Sequence, residues 1–196
     1  MKSQKEFFNS MASSWDVKCN HDMNKVEYIL DLLEIKKGDK ILDVGTGTGV
    51  LVPILSKKVG LSGNVKAIDI ADKMIEVAQK KYNYDNVEFV CDDVLKIKED
   101  KNEHDHIICY SMFPHFQNKE QAVKLLASKL SNGGKLVICH SQSREAINNL
   151  HKSKGEAVKE DNLPDFTVIK QYYHKAGLDI VKKIDTEQMF VVIGIK

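Results

Sequence analysis

From position 40 onward, the apolar positions of this chain follow two alternating rhythms. Short apolar runs bounded by Gly, Asp and Asn predict buried strands at 41–44, 65–70, Val87–Cys91, 104–110 and 135–140. Between them, apolar residues recur every three or four positions, which predicts helices over 25–33, 50–59, 71–82, 119–130, 143–151 and 165–176. Asn132-Gly133-Gly134 is expected to close the fourth of these helices and Gly177 the last. The tail alternates twice more, over 178–185 and 188–195, around a short turn at Thr186-Glu187, which is a hairpin pattern. Strands that alternate with helices and end in a hairpin predict an α/β fold. Its sheet is doubly wound, mostly parallel and seven-stranded, with a C-terminal antiparallel hairpin and helices on both faces. At 196 residues, one domain spanning 1–196 is expected.

The run 40–50, KILDVGTGTGV, concentrates the chemistry. Ile41, Leu42 and Val44 supply the strand; Gly45, Gly47 and Gly49 supply a backbone that turns sharply and lets a ligand approach closely. The helix predicted after it would aim free N–H groups into the turn. Glycines alone fit any tight turn, so the strand ends that follow decide. The second strand ends in Asp69, placed to accept both hydroxyls of a ribose, and the third runs into Asp92-Asp93-Val94-Leu95.

The segments ILDVGTGTG, AIDIADKMIEVAQ, VEFVCDDVLKI, HDHIICYSMFPHF and LSNGGKLVICHS, in that order, resemble the class I S-adenosylmethionine (SAM) dependent methyltransferases along nearly the whole chain. The resemblance implies SAM as cofactor. Gly45, Gly47 and Gly49 would cradle its methionine end, Asp69 its ribose, and Asp93 its adenine amino group, with Asp92 as the alternative. Asp43, Thr46, Ile70, Met74, Val94, Cys109 and Trp15 complete the cofactor set that it implies. Segment 1–24 is similar to the entry segment that folds over SAM in many small-molecule methyltransferases; Trp15 either covers the cofactor or caps the sheet edge. Segment 141–164 stands where substrate-side insertions occur.

Methyl transfer from a sulfonium is an in-line displacement, so the protein's main task is to hold donor and acceptor in near-attack geometry. Ligands of open α/β sheets bind at the carboxyl ends of the strands. Tyr110 to Phe116 follows the fourth strand there, and it lacks the Asn/Asp-Pro-Pro-aromatic pattern of nucleobase amino-methyltransferases, which shifts the expectation to a small-molecule acceptor. His115 and His140 end neighbouring central strands and, with Tyr110, are the candidate catalytic residues. Arg144, Asn148 and His151 share one face of the 143–151 helix and join them as candidate acceptor-binding residues, or else form a polar solvent face. His115, His140 and His151 are either the ligands of a divalent transition metal or a metal-free set in which one imidazole takes the acceptor's proton while Arg144 holds a carboxylate. His104, His106 and His174 are expected at the surface or a strand edge, and His21 in the covering segment.

Composition narrows the rest. Lys plus Arg at 29 against Asp plus Glu at 28 leaves no basic surface for nucleic acid. Arg144 is the single arginine, a usage that an AT-rich genome produces. Cys19, Cys91, Cys109 and Cys139 lack CxxC spacing; three lie in predicted core strands, as reduced buried thiols do. MKSQKEFFNS has no apolar leader core, and no apolar run approaches ~18 residues. A cytoplasmic protein with no membrane or nucleic-acid partner is therefore expected; its oligomeric state is not readable. A SAM-binding sensor without turnover, or a methyltransferase for RNA or protein, is the alternative. A dinucleotide oxidoreductase is disfavoured because the glycines run GxGxG rather than GxGxxG.

Overall fold

The structure, a computed structural model, describes residues 3–97, 103–153 and 158–196. Five strands, β1 (Lys40–Val44), β2 (Asn64–Asp69), β3 (Val87–Cys91), β4 (His104–Tyr110) and β5 (Leu130–His140), pair in parallel. They are joined by β6 (Asp179–Asp185) and β7 (Phe190–Ile195) in one sheet of order β3-β2-β1-β4-β5-β7-β6. Strand β7 alone is reversed, antiparallel to both neighbours, because a short turn returns the chain beside β6. The strand order reverses between β1 and β4, so the carboxyl ends of these two strands splay apart and leave a crevice.

Both faces are covered by helices. On one side α3 (Met23–Asp31) and α4 (Val52–Val59) bury Ile29, Leu30, Leu55 and Val59 against Ile41, Ile108 and Val137. On the other, α6 (Lys119–Lys129) and α8 (Phe166–Lys175) bury Leu126, Ile169 and Tyr173 against Leu42, Ile107 and Leu136. Helix α5 (Asp72–Lys81) carries Met74, which packs with Ala71 and with Ala12 of the N-terminal segment. Side-chain caps define the helix starts: Asp22 accepts from Lys25, Asn118 from Gln121 and Asp165 from Val168.

The fold expectation holds, with local corrections. Residues 4–18 are helical: α1 (Gln4–Met11) starts in a Ser3/Glu6 capping box, and α2 (Trp15–Lys18) follows a short 3-10 turn. Strand β5 begins at Leu130 rather than 135, since the chain pairs with His104 as soon as α6 ends; Asn132-Gly133-Gly134 lies inside the strand as an irregularity, with Gly133 at φ 80°. His104 and His106 are buried, not at an edge, and His106 is held by Asp39 at 3.0 Å. Cys91 is exposed, because β3 is the edge strand, whereas Cys109 and Cys139 are buried. The 143–151 helix is α7 (Arg144–Ser153), and part of segment 141–164 falls outside the described residues. Among the described residues, no helix is long and apolar enough to cross a membrane.

Tyr173 ties α8 to the sheet, its hydroxyl donating to the carbonyls of Leu136 and Val192 at 3.3 Å each. A methyl group on Gly194 would collide with this ring. Gly194→Ala should therefore destabilise the domain by about 1–3 kcal/mol through overpacking, read as a lowered urea midpoint with unchanged slope; an unchanged midpoint would show that Tyr173 has room to move.

Candidate active site

The three loop glycines all adopt left-handed backbone, with φ of 67°, 56° and 84° at Gly45, Gly47 and Gly49. A Cβ on Gly45 would meet Met112 at 2.7 Å, and one on Gly49 the Tyr82 ring at 3.1 Å. At Gly47 the nearest atom would be Trp15 Nε1 at 3.9 Å, an ordinary contact distance, so the gap between this glycine and the indole is about the size of a methyl group. The amide of Thr46 donates to Ile68 at 3.0 Å, which ties the loop to the end of β2.

Asp69 fixes the rest of the loop. One carboxylate oxygen accepts from the Gly47 amide at 2.9 Å and the other from the Ala71 amide at 2.8 Å. Burial raises its pKa, and those amide hydrogen bonds pull the other way. Beneath it, Asp43 is 2% exposed, accepts from the Thr46 hydroxyl at 2.7 Å, and is pushed up to about 7 by burial, with the charge of Asp69 adding to the rise. A buried carboxylate and a loop with left-handed glycines beside an aromatic ring fit the nucleoside and amino-acid ends of SAM.

The other expected cofactor residues divide. Asp93 is half-buried; one oxygen accepts from the Leu95 amide at 3.0 Å and the other pairs with Lys96 at 3.3 Å. Asp92 is exposed and accepts from the Asp93 amide at 2.7 Å. Ile70 is exposed at the end of β2, and Val94 is buried. Met74 and Cys109 are buried, at 1% and 0% exposure: Met74 lies in one cluster with Ala12, Phe8 and Trp15 of the N-terminal segment, and Cys109 in the core cluster that α6 shares.

The N-terminal segment rims the whole cleft. Gln4 donates to both carboxylate oxygens of Asp161 at 3.1 and 2.9 Å. Phe8 packs edge-on against His115 and Trp15, with ring centroids 5.0 and 5.7 Å apart. Asn9 bridges Asp72 and the Lys73 amide at the start of α5. Asp16 accepts from the Thr48 hydroxyl and from Lys81 at 2.7 Å, and Lys81 also reaches the Thr48 carbonyl. His21 meets the Tyr110 hydroxyl at 2.9 Å.

Opposite the loop, the expected histidines come together. The His115 and His151 rings are 5.0 Å apart, and His140, 1% exposed, is close enough to both for their charge to depress its pKa. Burial is the larger cause, and together they bring His140 down to about 3, with neither ring nitrogen partnered. Asp161, which no motif in the sequence marked, organises this group: its carboxylate holds His115 Nδ1 at 2.7 Å and its carbonyl holds His151 Nδ1 at 3.0 Å. Tyr110 is pushed up to about 12 by burial and keeps its proton, bridging His21 and Ser141 at 2.9 Å each. Ser111, next along, is held at φ 55°, a strained backbone at the strand end.

The remaining acceptor-side residues have structural partners of their own. Asn148 spends its amide on the Leu163 backbone, at 3.1 and 2.7 Å, and so fastens the loop carrying Asp161. Arg144 faces Asp185 at 3.8 Å and lines an open cleft of ≈ 740 Å³ with Gln117, Lys119 and Tyr172, apart from the glycine loop. Of the histidines expected as a metal or proton-transfer set, Asp161 takes the Nδ1 atoms of His115 and His151 and leaves their Nε2 atoms; no three His, Cys, Asp or Glu side chains among the described residues are arranged to hold an ion.

Because folded His140 stays neutral down to about 3 while its unfolded form protonates near 6.5, the unfolded state binds the extra proton first and stability falls as pH falls through this window. One such group contributes a slope of up to about 1.4 kcal/mol per pH unit. His140→Asn should flatten the acid-side decline in urea midpoints between about pH 6 and pH 4; parallel curves would count against a buried neutral imidazole.

Known proteins resemble this chain in sequence and fold. The methyltransferase domain family model matches residues 35–187. The malonyl-acyl-carrier-protein O-methyltransferase of Bacillus cereus is 31% identical over 189 residues, covering 94% of this chain and 69% of that protein. The demethylmenaquinone methyltransferase of Staphylococcus carnosus is 29% identical over 157 residues, 74% of this chain and 64% of that protein. The crystal structure of a SAM-dependent methyltransferase from Aquifex aeolicus superposes with a TM-score of 0.73 at 25% identity, covering 99% of both chains. The chain therefore belongs to the class I SAM-dependent methyltransferases, with SAM as its cofactor.

Proposed function

We propose that this enzyme methylates a small-molecule acceptor enclosed between His115, His140 and His151 and the N-terminal segment. One observation carries the proposal: a single segment closes over both halves of the cleft. Trp15 and Asp16 stand at the glycine loop, Phe8 at His115 and Gln4 at Asp161. A chamber lidded on both sides suits a molecule that can be swallowed whole better than a strand of RNA or a protein surface. The near balance of charge, 29 basic against 28 acidic side chains, agrees with this. Residues 1–24 are the lid in this reading, 141–164 the acceptor-side insertion, and the cytoplasm the setting.

SAM supplies a methyl group on a sulfonium, whose leaving group needs no activation. The chain's own residues hold the partners in line and exclude water. Asp69 and Asp93 grip the nucleoside, the amides of the glycine loop the amino-acid end, and Trp15 covers the gap above Gly47. His115 stands between the two halves: its charge reaches Asp69, and its ring touches His151. Tyr110, holding its proton, acts as a hydrogen-bond donor at the strand end rather than as a base.

Asp69→Ala should weaken SAM binding by about 1–3 kcal/mol through loss of charge-assisted hydrogen bonds; titration calorimetry with SAM and S-adenosylhomocysteine reads it. Gly47→Val should weaken binding further, since a branched residue resists positive φ and its side chain enters the gap; normal binding by a folded Gly47→Val protein would reduce the loop to a turn. With tritiated SAM and a cell extract split into metabolite, RNA and protein fractions, label should enter the metabolites. Label confined to RNA or protein would overturn the small-molecule reading.

A further inference from the structure

The histidine cluster has a polarity fixed by two hydrogen bonds. His151 Nδ1 lies 3.0 Å from the carbonyl oxygen of Asp161, and a carbonyl only accepts, so the proton of the neutral ring is on Nδ1 and Nε2 is a bare lone pair. His115 Nδ1 lies 2.7 Å from the carboxylate of the same residue, which fixes its neutral ring the same way. Gln4, donating to both oxygens of that carboxylate, keeps it facing His115. The third member, His140, is 1% exposed with both nitrogens unpartnered, a state that protein interiors avoid unless a ligand completes it. The nearby cation, Lys119, is turned onto the Phe116 carbonyl at 2.9 Å. The cluster therefore offers three lone pairs, one of them from neutral His140, and a single N–H, also from His140.

Such a set matches a ligand that brings hydrogen-bond donors and mismatches a carboxylate, which brings only lone pairs. We infer that the methyl-accepting atom of this enzyme's substrate carries a proton, as a hydroxyl or an amine, and that His115, positioned by Asp161, removes it. This rests on the small-molecule methyl transfer proposed above. The acceptor's lone pair forms the new bond to the methyl carbon while the carbon–sulfur bond breaks, its electron pair staying on sulfur. The O–H or N–H bond gives its proton to Nε2 of His115, and the resulting imidazolium is held against the Asp161 carboxylate until it loses the proton to solvent. His140 hydrogen-bonds the acceptor and Asp161 acts through His115 as a positioning residue.

Two measurements decide it. In the full chain with S-adenosylhomocysteine at pH 7.5, long-range proton–nitrogen spectra of the histidine rings, assigned with His115→Gln and His151→Gln, should show His115 and His151 protonated on Nδ1 with bare Nε2. In Asp161→Asn the His115 ring should lose that single tautomer. Protonation of either wild-type ring on Nε2 alone overturns the inference. In parallel, a panel of phenols, alcohols and amines with carboxylic acids of matched shape is incubated with tritiated SAM. Label should enter hydroxyl or amine compounds, and His115→Gln, shown by calorimetry still to bind S-adenosylhomocysteine, should lower kcat at least ~100-fold with little change in KM. Label in the carboxylic acids alone overturns the inference but leaves small-molecule methylation standing. Label in RNA or protein but in no small molecule overturns both.

Discussion

The carboxylate of Asp69 is the interaction on which the cofactor end of the molecule depends. A side chain at the end of β2 has to reach across to the loop after β1 and seize the amide of Gly47, and it does so at 2.9 Å while its other oxygen holds Ala71. Three consequences follow from that grip. The glycine loop keeps its left-handed turns, α5 starts where its first residues can receive Asn9, and a carboxylate is kept buried that would otherwise seek water. Asp43 shares the low-dielectric interior below, and the like charges there account for part of its raised pKa.

A second carboxylate, Asp161, plays the matching part across the cleft. It uses both its side chain and its carbonyl, fixing two imidazoles and receiving Gln4 in return. Asn148, one helical turn from His151, clamps the Leu163 backbone and so sets where Asp161 stands. The N-terminal segment bridges the two carboxylates: Asp16 is latched to Thr48 and Lys81 near the glycine loop, and Gln4 reaches Asp161. The halves of the cleft are thus tied through one short stretch of helix.

How much of this was legible in the sequence depended on periodicity and locality. The strands stood out because parallel strands buried on both faces leave unbroken apolar runs, such as Ile107-Ile108-Cys109, and the hairpin because its two runs are close in sequence. Helices α1 and α2 did not, since α1 buries no residue and the segment takes its order from distant partners: Asp72, Thr48 and Asp161. Strand β5 was set too short because glycines normally punctuate, whereas here a bulge absorbs them. The turn of the glycine loop and the place of Asp69 at its side were readable because they are carried by backbone conformation and strand position. His115, His140 and His151 could be brought together from strand ends and helix phase. Asp161 could not, because nothing in EDNLPD marks one acid over another until the loop is folded. The packing partners of Met74 and Cys109 were not legible, because a motif gives the position of a residue along a strand or helix without the side it faces.

The contact between Gln4 and Asp161 joins residues 157 apart in the chain. At a synthesis rate of about 5–20 residues per second, roughly 8–30 s separate the appearance of the two on the ribosome. During that interval Phe7, Phe8 and Trp15 have no finished surface to cover, and α1, too short to be stable alone, waits as an apolar, unstructured thread. The segment made earlier than nearly everything it touches is then among the last to dock, because its closing contacts carry the largest loop entropy. For a newborn copy of this enzyme, the N-terminal helices wait for the last third of the chain before all their partners exist.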